Sequence, residues 1–139
     1  MAEYYNREHY PDPTAYYAEK ELEAERHRSL YRPLVFICSP FAGDTDKNII
    51  AACKYSRFAV NSGCIPVAPH LIYPQFLDDT RADERRLGMF FGKVLMTKCR
   101  ELWVFGDYIS LGMREEIAYA RKKHIRVRYF TDSFEEVAR

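Results

Sequence analysis

Apolar and polar positions alternate in blocks along most of the chain, and the clearest block runs from Glu101 to Ala120. The apolar run Leu102-Trp103-Val104-Phe105 stops at Gly106-Asp107, and a short polar loop follows. From Ser110-Leu111-Gly112 onward, Met113, Ile117 and Ala120 fall at helical spacing. A strand, a loop and the start of a helix are predicted there. Leu34 to Cys38 is another continuous apolar run, as expected of a strand buried on both faces, and it breaks at Ser39-Pro40-Phe41-Ala42-Gly43. Asp44 or Thr45 is then placed to cap a helix with Ile49, Ala52, Cys53, Ser56 and Val60 on one face and Gly63 at its end. Cys64 to Ala68 reads as a short strand in which Pro66 suits a sheet edge. A long aromatic and polar loop follows from Pro69 to Asp79. Thr80 and Asp83 have capping-box spacing before a helix with a stripe at Leu87, Phe90, Phe91, Val94 and Leu95. Ile125 to Phe130 reads as a further strand, with Asp132 or Ser133 capping a short terminal helix.

Strands alternating with helices predict an α/β fold: a three-layer, doubly wound sheet of the Rossmann or flavodoxin type, with four to five mainly parallel strands. Ahead of it, Met1 to Tyr10 reads as a loose arm. Pro13 to Tyr31 reads as an exposed helix with a thin apolar face, started by Asp12-Pro13 and ended before Pro33. The predicted organisation is therefore an arm and helix over residues 1–33 and an α/β domain over residues 34–139.

The 139 residues suffice for one domain with a real core, and 21 basic against 20 acidic side chains leave a net charge of +1. That balance argues against a nucleic-acid polymer as partner and favours a small molecule. No apolar run approaches the roughly 20 residues of a membrane span, and the first thirty residues do not resemble a secretory signal, so a cytoplasmic protein is expected. Cys38, Cys53, Cys64 and Cys99 never fall in a C-x-x-C pair. They read as reduced, mostly buried thiols, and with histidine equally scattered neither a metal site nor a cofactor is expected.

Three loops that follow strands should gather at one edge of the sheet: Ser39 to Gly43, Pro69 to Asp79, and Gly106 to Gly112. The first lets backbone approach a ligand at Gly43 but has neither dinucleotide nor P-loop spacing. A ligand loop and an ordinary strand-to-helix turn both fit it. His70 can bond a ligand or hold its loop. Asp107, at the tip of the central strand, can hold a sugar hydroxyl, act as an acid or serve as a turn aspartate. Helix geometry separates two neighbouring acids. Glu116 lies about 100° to one side of Ile117, over Gly112 and beside Met113, and can face the loops, whereas Glu115 suits first-turn capping.

In their order and spacing, VFICSPFAG from Val35, VAPHLIYPQFLDD from Val67 and ELWVFGDYISLGMREEIAYA from Glu101 resemble the nucleoside 2-deoxyribosyltransferase-like superfamily. The likeness is to its small uncharacterised bacterial and phage branch, and it covers about Leu34 to Phe130. In characterised members, a glutamate on the helix after this strand attacks the anomeric carbon of a nucleoside, and the sugar passes to another base or to water. The resemblance implies Glu116 as that nucleophile, from the match at Gly112 and Glu116-Ile117-Ala118-Tyr119-Ala120, with Glu115 in reserve. It implies that Ser39, Pro40, Phe41 and Gly43 line a sugar or phosphate pocket. Ser110 falls where the transferases often carry a sugar-contacting aspartate, so Asp107 or Ser110 would hold the sugar beside Gly112 and Met113, and His70 would position the base. A nucleoside or nucleotide ligand and a homo-oligomer follow from the same likeness, as does the alternative of a binding module that keeps the pocket without turnover.

Overall fold

The computed structural model describes residues 13–139, so the predicted arm over Met1–Tyr10 lies outside the described residues. The chain groups into two compact units, Met1–Arg32 and Pro33–Arg139. The first carries helix α1, Pro13–Ser29, with proline in its first turn. The second is built from β1 (Leu34–Cys38), α2 (Thr45–Asn61), β2 (Ile65–Val67), α3 (Ala82–Met96), β3 (Glu101–Phe105), α4 (Leu111–Lys122), β4 (Arg126–Phe130) and β5 (Glu136–Val137). Strand order is β2-β1-β3-β4-β5, with the first four parallel and β5 antiparallel at one edge.

This is the α/β sheet the pattern predicts, and its layers follow from the pleat. On β1 and β3, successive side chains point to opposite faces, and every residue from Val35 to Cys38 and from Leu102 to Phe105 is buried. Val35, Ile37, Trp103 and Phe105 join Tyr55 and Ala59 of α2 in one core. Phe36, Cys38, Leu102 and Val104 join Met96 of α3 and Met113, Ile117 and Ala120 of α4 in the other. Pro66 sits on the edge strand β2, where a missing N–H costs least.

Two stripes are rotated from their predicted positions. On α2 the buried residues are Ala52, Tyr55 and Ala59, while Ile49, Cys53 and Val60 are exposed. Tyr55 decides this: its ring stacks on Phe105 at 4.3 Å, and its hydroxyl donates to Asp132 Oδ1 at 3.0 Å. On α3 the buried positions are Gly92 and Met96, and Leu87, Phe90 and Val94 are exposed. Glycine gives no hydrophobic signal, yet at position 92 it lets the helix settle on Pro69 and Phe36. The Thr80–Asp83 capping box does not form. The Thr80 hydroxyl and amide both donate to Asp78, Asp83 pairs with Arg81, and Arg81 stands at the N-cap position with no side-chain bond that caps the helix.

The predicted terminal helix is replaced by a turn and the short strand β5. The Thr131 hydroxyl accepts from Ser133 N and Glu135 N, and Phe134 adopts a left-handed φ of 67° that breaks a helix. Phe134 stacks on Phe58, and Arg128 forks onto Glu136 at 2.6 and 2.9 Å.

Gly106 ends β3 at a φ of 86°, and a Cβ there would stand 3.0 Å from Asp132 Oδ1. Gly106→Ala should therefore cost about 1 to 2 kcal/mol from backbone and contact together. Urea denaturation would register this as a lower midpoint at unchanged slope, and an unchanged midpoint would show that the turn relaxes freely.

Candidate functional site

The sheet changes direction between β1 and β3. The chain leaves β1 outward to β2, then crosses back to β3 and continues outward the other way to β4. The loops after β1 and β3 therefore diverge, and such a switch point opens a crevice at the carboxyl ends of the strands. A cavity of about 450 Å³ lies there, within the range of small-molecule sites.

Local chemistry fixes each wall. After β1, the Asn48 amide donates to the carbonyls of Phe41 and Ala42 at 3.0 and 3.1 Å, Gly43 turns the chain at a φ of 100°, and Asp44 caps α2. Ser39, Phe41 and Gly43 thus line the cavity, whereas Pro40 is not part of its lining. After β2, two 3-10 turns at Pro69–Leu71 and Tyr73–Gln75 bring His70 and Tyr73 to the wall. The buried Ser39 hydroxyl lies 3.0 Å from His70 Nε2, so His70 both holds its loop and faces the cavity. After β3, Ser110 caps α4 by accepting from Met113 N at 3.2 Å, and the helix N-terminus with Ser110, Gly112, Met113 and Glu116 borders the space. Nothing lies within 4 Å of where a Gly112 side chain would begin, so backbone is bare there.

The paired acids part as helix geometry predicts: Glu116 lines the cavity and Glu115 is exposed outside it. Asp107 is not brought to the site. Its side chain is 97% exposed and pairs with Arg139 at 3.5 Å, because the left-handed turn at Gly106 carries it off the strand axis. The wall also contains residues the sequence reading left out: Asp79, Tyr108, and on α3 Arg85, Gly88, Gly92 and Lys93. A signal for the last group existed. Arg85, Gly88 and Gly92 share one helix face, and two glycines four apart mark a side on which something approaches closely.

Burial pushes the Glu116 carboxyl from 4.5 up to about 7; a hydrogen bond from the Cys38 thiol pulls it partly back, and Glu115 adds a further upward push. Burial also lowers His70 from 6.5 to about 4, so its ring is neutral at pH 7. Among the described residues, no three His, Cys, Asp or Glu side chains are grouped to hold a metal ion, and no helix is long and apolar enough to cross a membrane.

Residues 33–130 match the model of a family described as Domain of unknown function (DUF7768), and the chain belongs to that family. No curated protein matches the sequence. Among solved structures, a 2-deoxyribosyltransferase from the psychrotolerant bacterium Bacillus psychrosaccharolyticus is similar with a TM-score of 0.60, over 76% of this chain and 77% of that one. At 13% identity this likeness shows a shared fold.

Glu116 and His70 affect stability in opposite senses. An acid raised on folding holds an extra proton in the native state, so Glu116 removes stability as pH climbs from 4.5 to 7. A base lowered on folding is protonated first in the unfolded chain, so His70 adds stability as pH climbs from 4 to 6.5. In their overlap the two nearly cancel. Glu116→Gln should unmask a rise with pH and His70→Asn a fall, each on the order of 3 kcal/mol. Urea midpoints between pH 4 and 8 would show diverging slopes, and parallel profiles for the three proteins would contradict these shifts.

Proposed function

We propose that this member of the family acts on the glycosidic bond of a nucleoside or nucleotide, with Glu116 as the attacking carboxylate. The observation that carries the reading is the Glu116 carboxyl itself, recessed in the wall of a ligand-sized cavity and poised near neutrality. The 2-deoxyribosyltransferase fold supports it. A carboxylate held out of water is a better nucleophile for a sugar carbon, and only its ionised form can attack.

In the proposed reaction a Glu116 oxygen bonds to the anomeric carbon as the carbon–nitrogen bond breaks. The base leaves with that electron pair and takes a proton at its ring nitrogen. A second base, or water, then displaces Glu116 from the same carbon, which retains configuration. Asp79 is a cavity carboxyl from a different loop and takes over from Asp107 the candidate role of holding a sugar hydroxyl, while the base draws its proton from water. Phe41, Tyr73 and Tyr108 offer ring faces for the base. Arg85, Lys93 and the α4 N-terminus at Gly112 suit an anionic substituent on the sugar. Copies of the chain would work as a homo-oligomer, as the sequence resemblance implies, and in the cytoplasm, as the residue pattern leads one to expect.

A second reading, a binding module without turnover, is favoured by Asp107, which faces away from the cavity. One experiment separates the two. The protein is incubated with a panel of nucleosides and deoxynucleoside monophosphates, and mass spectrometry follows free base and glycosylated protein. Glycosyl transfer should release base, form an adduct on Glu116, lose at least about a thousandfold in rate in Glu116→Gln, and speed up as pH rises through about 7. A compound that raises the melting temperature of both wild type and Glu116→Gln, yet is recovered unchanged, would establish the binding module instead.

A further inference from the structure

We infer that the outer face of α3 is the contact surface between two copies of this chain, packed antiparallel about a two-fold axis that passes between Phe90 and Phe91. This gives the proposed homo-oligomer a location, and it rests on none of the Glu116 chemistry.

The apolar stripe that the sequence marks on α3 faces solvent. Phe90 is 60% exposed, Val94 45% and Leu87 42%, while Phe91 is half-buried. At about 100° per residue, these four fall with Asp83 and Lys98 in an arc of about 100°. Gly92 and Met96, the buried positions, lie across the helix from that arc. Rings extend the patch beyond the helix. Phe91 meets Tyr73 at 5.2 Å, and Tyr73 meets the exposed Phe76 at 5.8 Å. Large apolar groups scattered singly over a surface need no explanation, but groups gathered in one patch mark a partner's seat.

The spacing of the stripe says which partner. From Asp83 to Leu87 to Phe90 the steps are four and three residues, and from Lys98 back to Val94 to Phe91 they are the same. Turned about an axis between Phe90 and Phe91, the stripe sets Leu87 of one copy against Val94 of the other, Phe90 against Phe91, and Asp83 against Lys98. An interface between identical copies needs such a self-complementary patch. The opposite charges at its two ends choose the antiparallel arrangement, because a parallel one would set Asp83 on Asp83 and Lys98 on Lys98. Antiparallel axes also place each helix N-terminus beside the other copy's C-terminus, which suits their dipoles.

Lys98 is exposed, and the Asp83 side chain, which meets Arg81 at 2.8 Å, is itself 59% exposed. Charge pairs at such a rim contribute little affinity and mainly set register, so the aromatic and aliphatic centre holds the copies together. The flank of α3 that carries Arg85, Gly88 and Gly92 lines the cavity and stays clear of this contact. Tyr73 joins the two regions, since its ring touches Phe91 and also lines the cavity.

The test is sedimentation velocity of the full chain from low to high micromolar concentration, with circular dichroism melting to show that each variant is folded. Wild type should dimerise, and Phe90→Glu should raise the dissociation constant at least about a hundredfold while leaving the melt of the monomer intact. Asp83→Lys and Lys98→Asp should each weaken the dimer by about tenfold, and the two changes together should restore it. A wild-type chain that stays monomeric would overturn the inference, as would a dimer that survives Phe90→Glu or a double variant no tighter than either single change. The measurement uses no substrate. A protein that dimerises through α3 yet turns nothing over upholds the interface while the glycosyl-transfer reading fails, and an active protein whose assembly ignores Phe90 does the reverse.

Discussion

The double-sided burial of β1 and β3 is the constraint on which the rest of the α/β unit depends. Each strand must place alternate side chains into two separate cores, so helices are needed on both faces, and the chain supplies α2 for one and α3 with α4 for the other. Covering both faces from a pair of adjacent central strands forces the chain to wind outward in two directions. The crevice between their carboxyl ends is a consequence of that winding. The cavity therefore arises where the connections diverge, and Met113 serves both its wall and the core beneath it.

Glu116 stands at the boundary between these two regimes. Met113, Ile117 and Ala120 of α4 are committed to the core, and one step around the helix the chain places a carboxyl at the cavity wall. A charge there is taken partly out of water. The raised carboxyl pKa is the thermodynamic trace of that arrangement, and it makes the native state less stable when the group ionises. His70 offsets this across the mildly acidic range, since the neutral ring it presents beside Ser39 carries a penalty of opposite sign. Two half-buried titratable groups in one cavity thus nearly conceal each other in the stability of the intact protein.

The fold was legible from the sequence because its cues are local. Uninterrupted apolar runs at Leu34–Cys38 and Leu102–Phe105 mark strands covered on both faces, and the stripe Met113, Ile117 and Ala120 fixes the rotation of α4, and with it the side on which Glu116 emerges. What escaped depends on partners distant in sequence or on residues without a hydrophobic signature. The rotation of α2 follows from Tyr55 meeting Phe105 and Asp132, and no period within the helix reports that pairing. The rotation of α3 follows from Gly92, which contributes contact by having no side chain, so counting apolar positions selected the solvent face. Asp107 had the right residue type at the tip of the right strand. A positive φ at the preceding glycine turned it to Arg139, and the identity of neighbouring residues does not encode that direction.

Ser110 shows how closely structure and chemistry are joined at this site. Its hydroxyl accepts from Met113 N and so supports the first turn of the helix that carries Glu116. A helix cap of this kind contributes about 1 kcal/mol, comparable with a single hydrogen bond to a ligand. An accepted bond uses only part of the group's capacity, because a hydroxyl retains one O–H donor and a second lone pair. Ser110 can therefore donate to a sugar or anionic oxygen while it still holds the helix. An aspartate at this position could cap the helix equally well, but once ionised it could only accept, and it would repel an anionic substituent at the helix N-terminus. Serine here thus adds no further negative charge beside the bare backbone at Gly112, in a wall where Arg85 and Lys93 already stand with Asp79, Glu84 and Glu116.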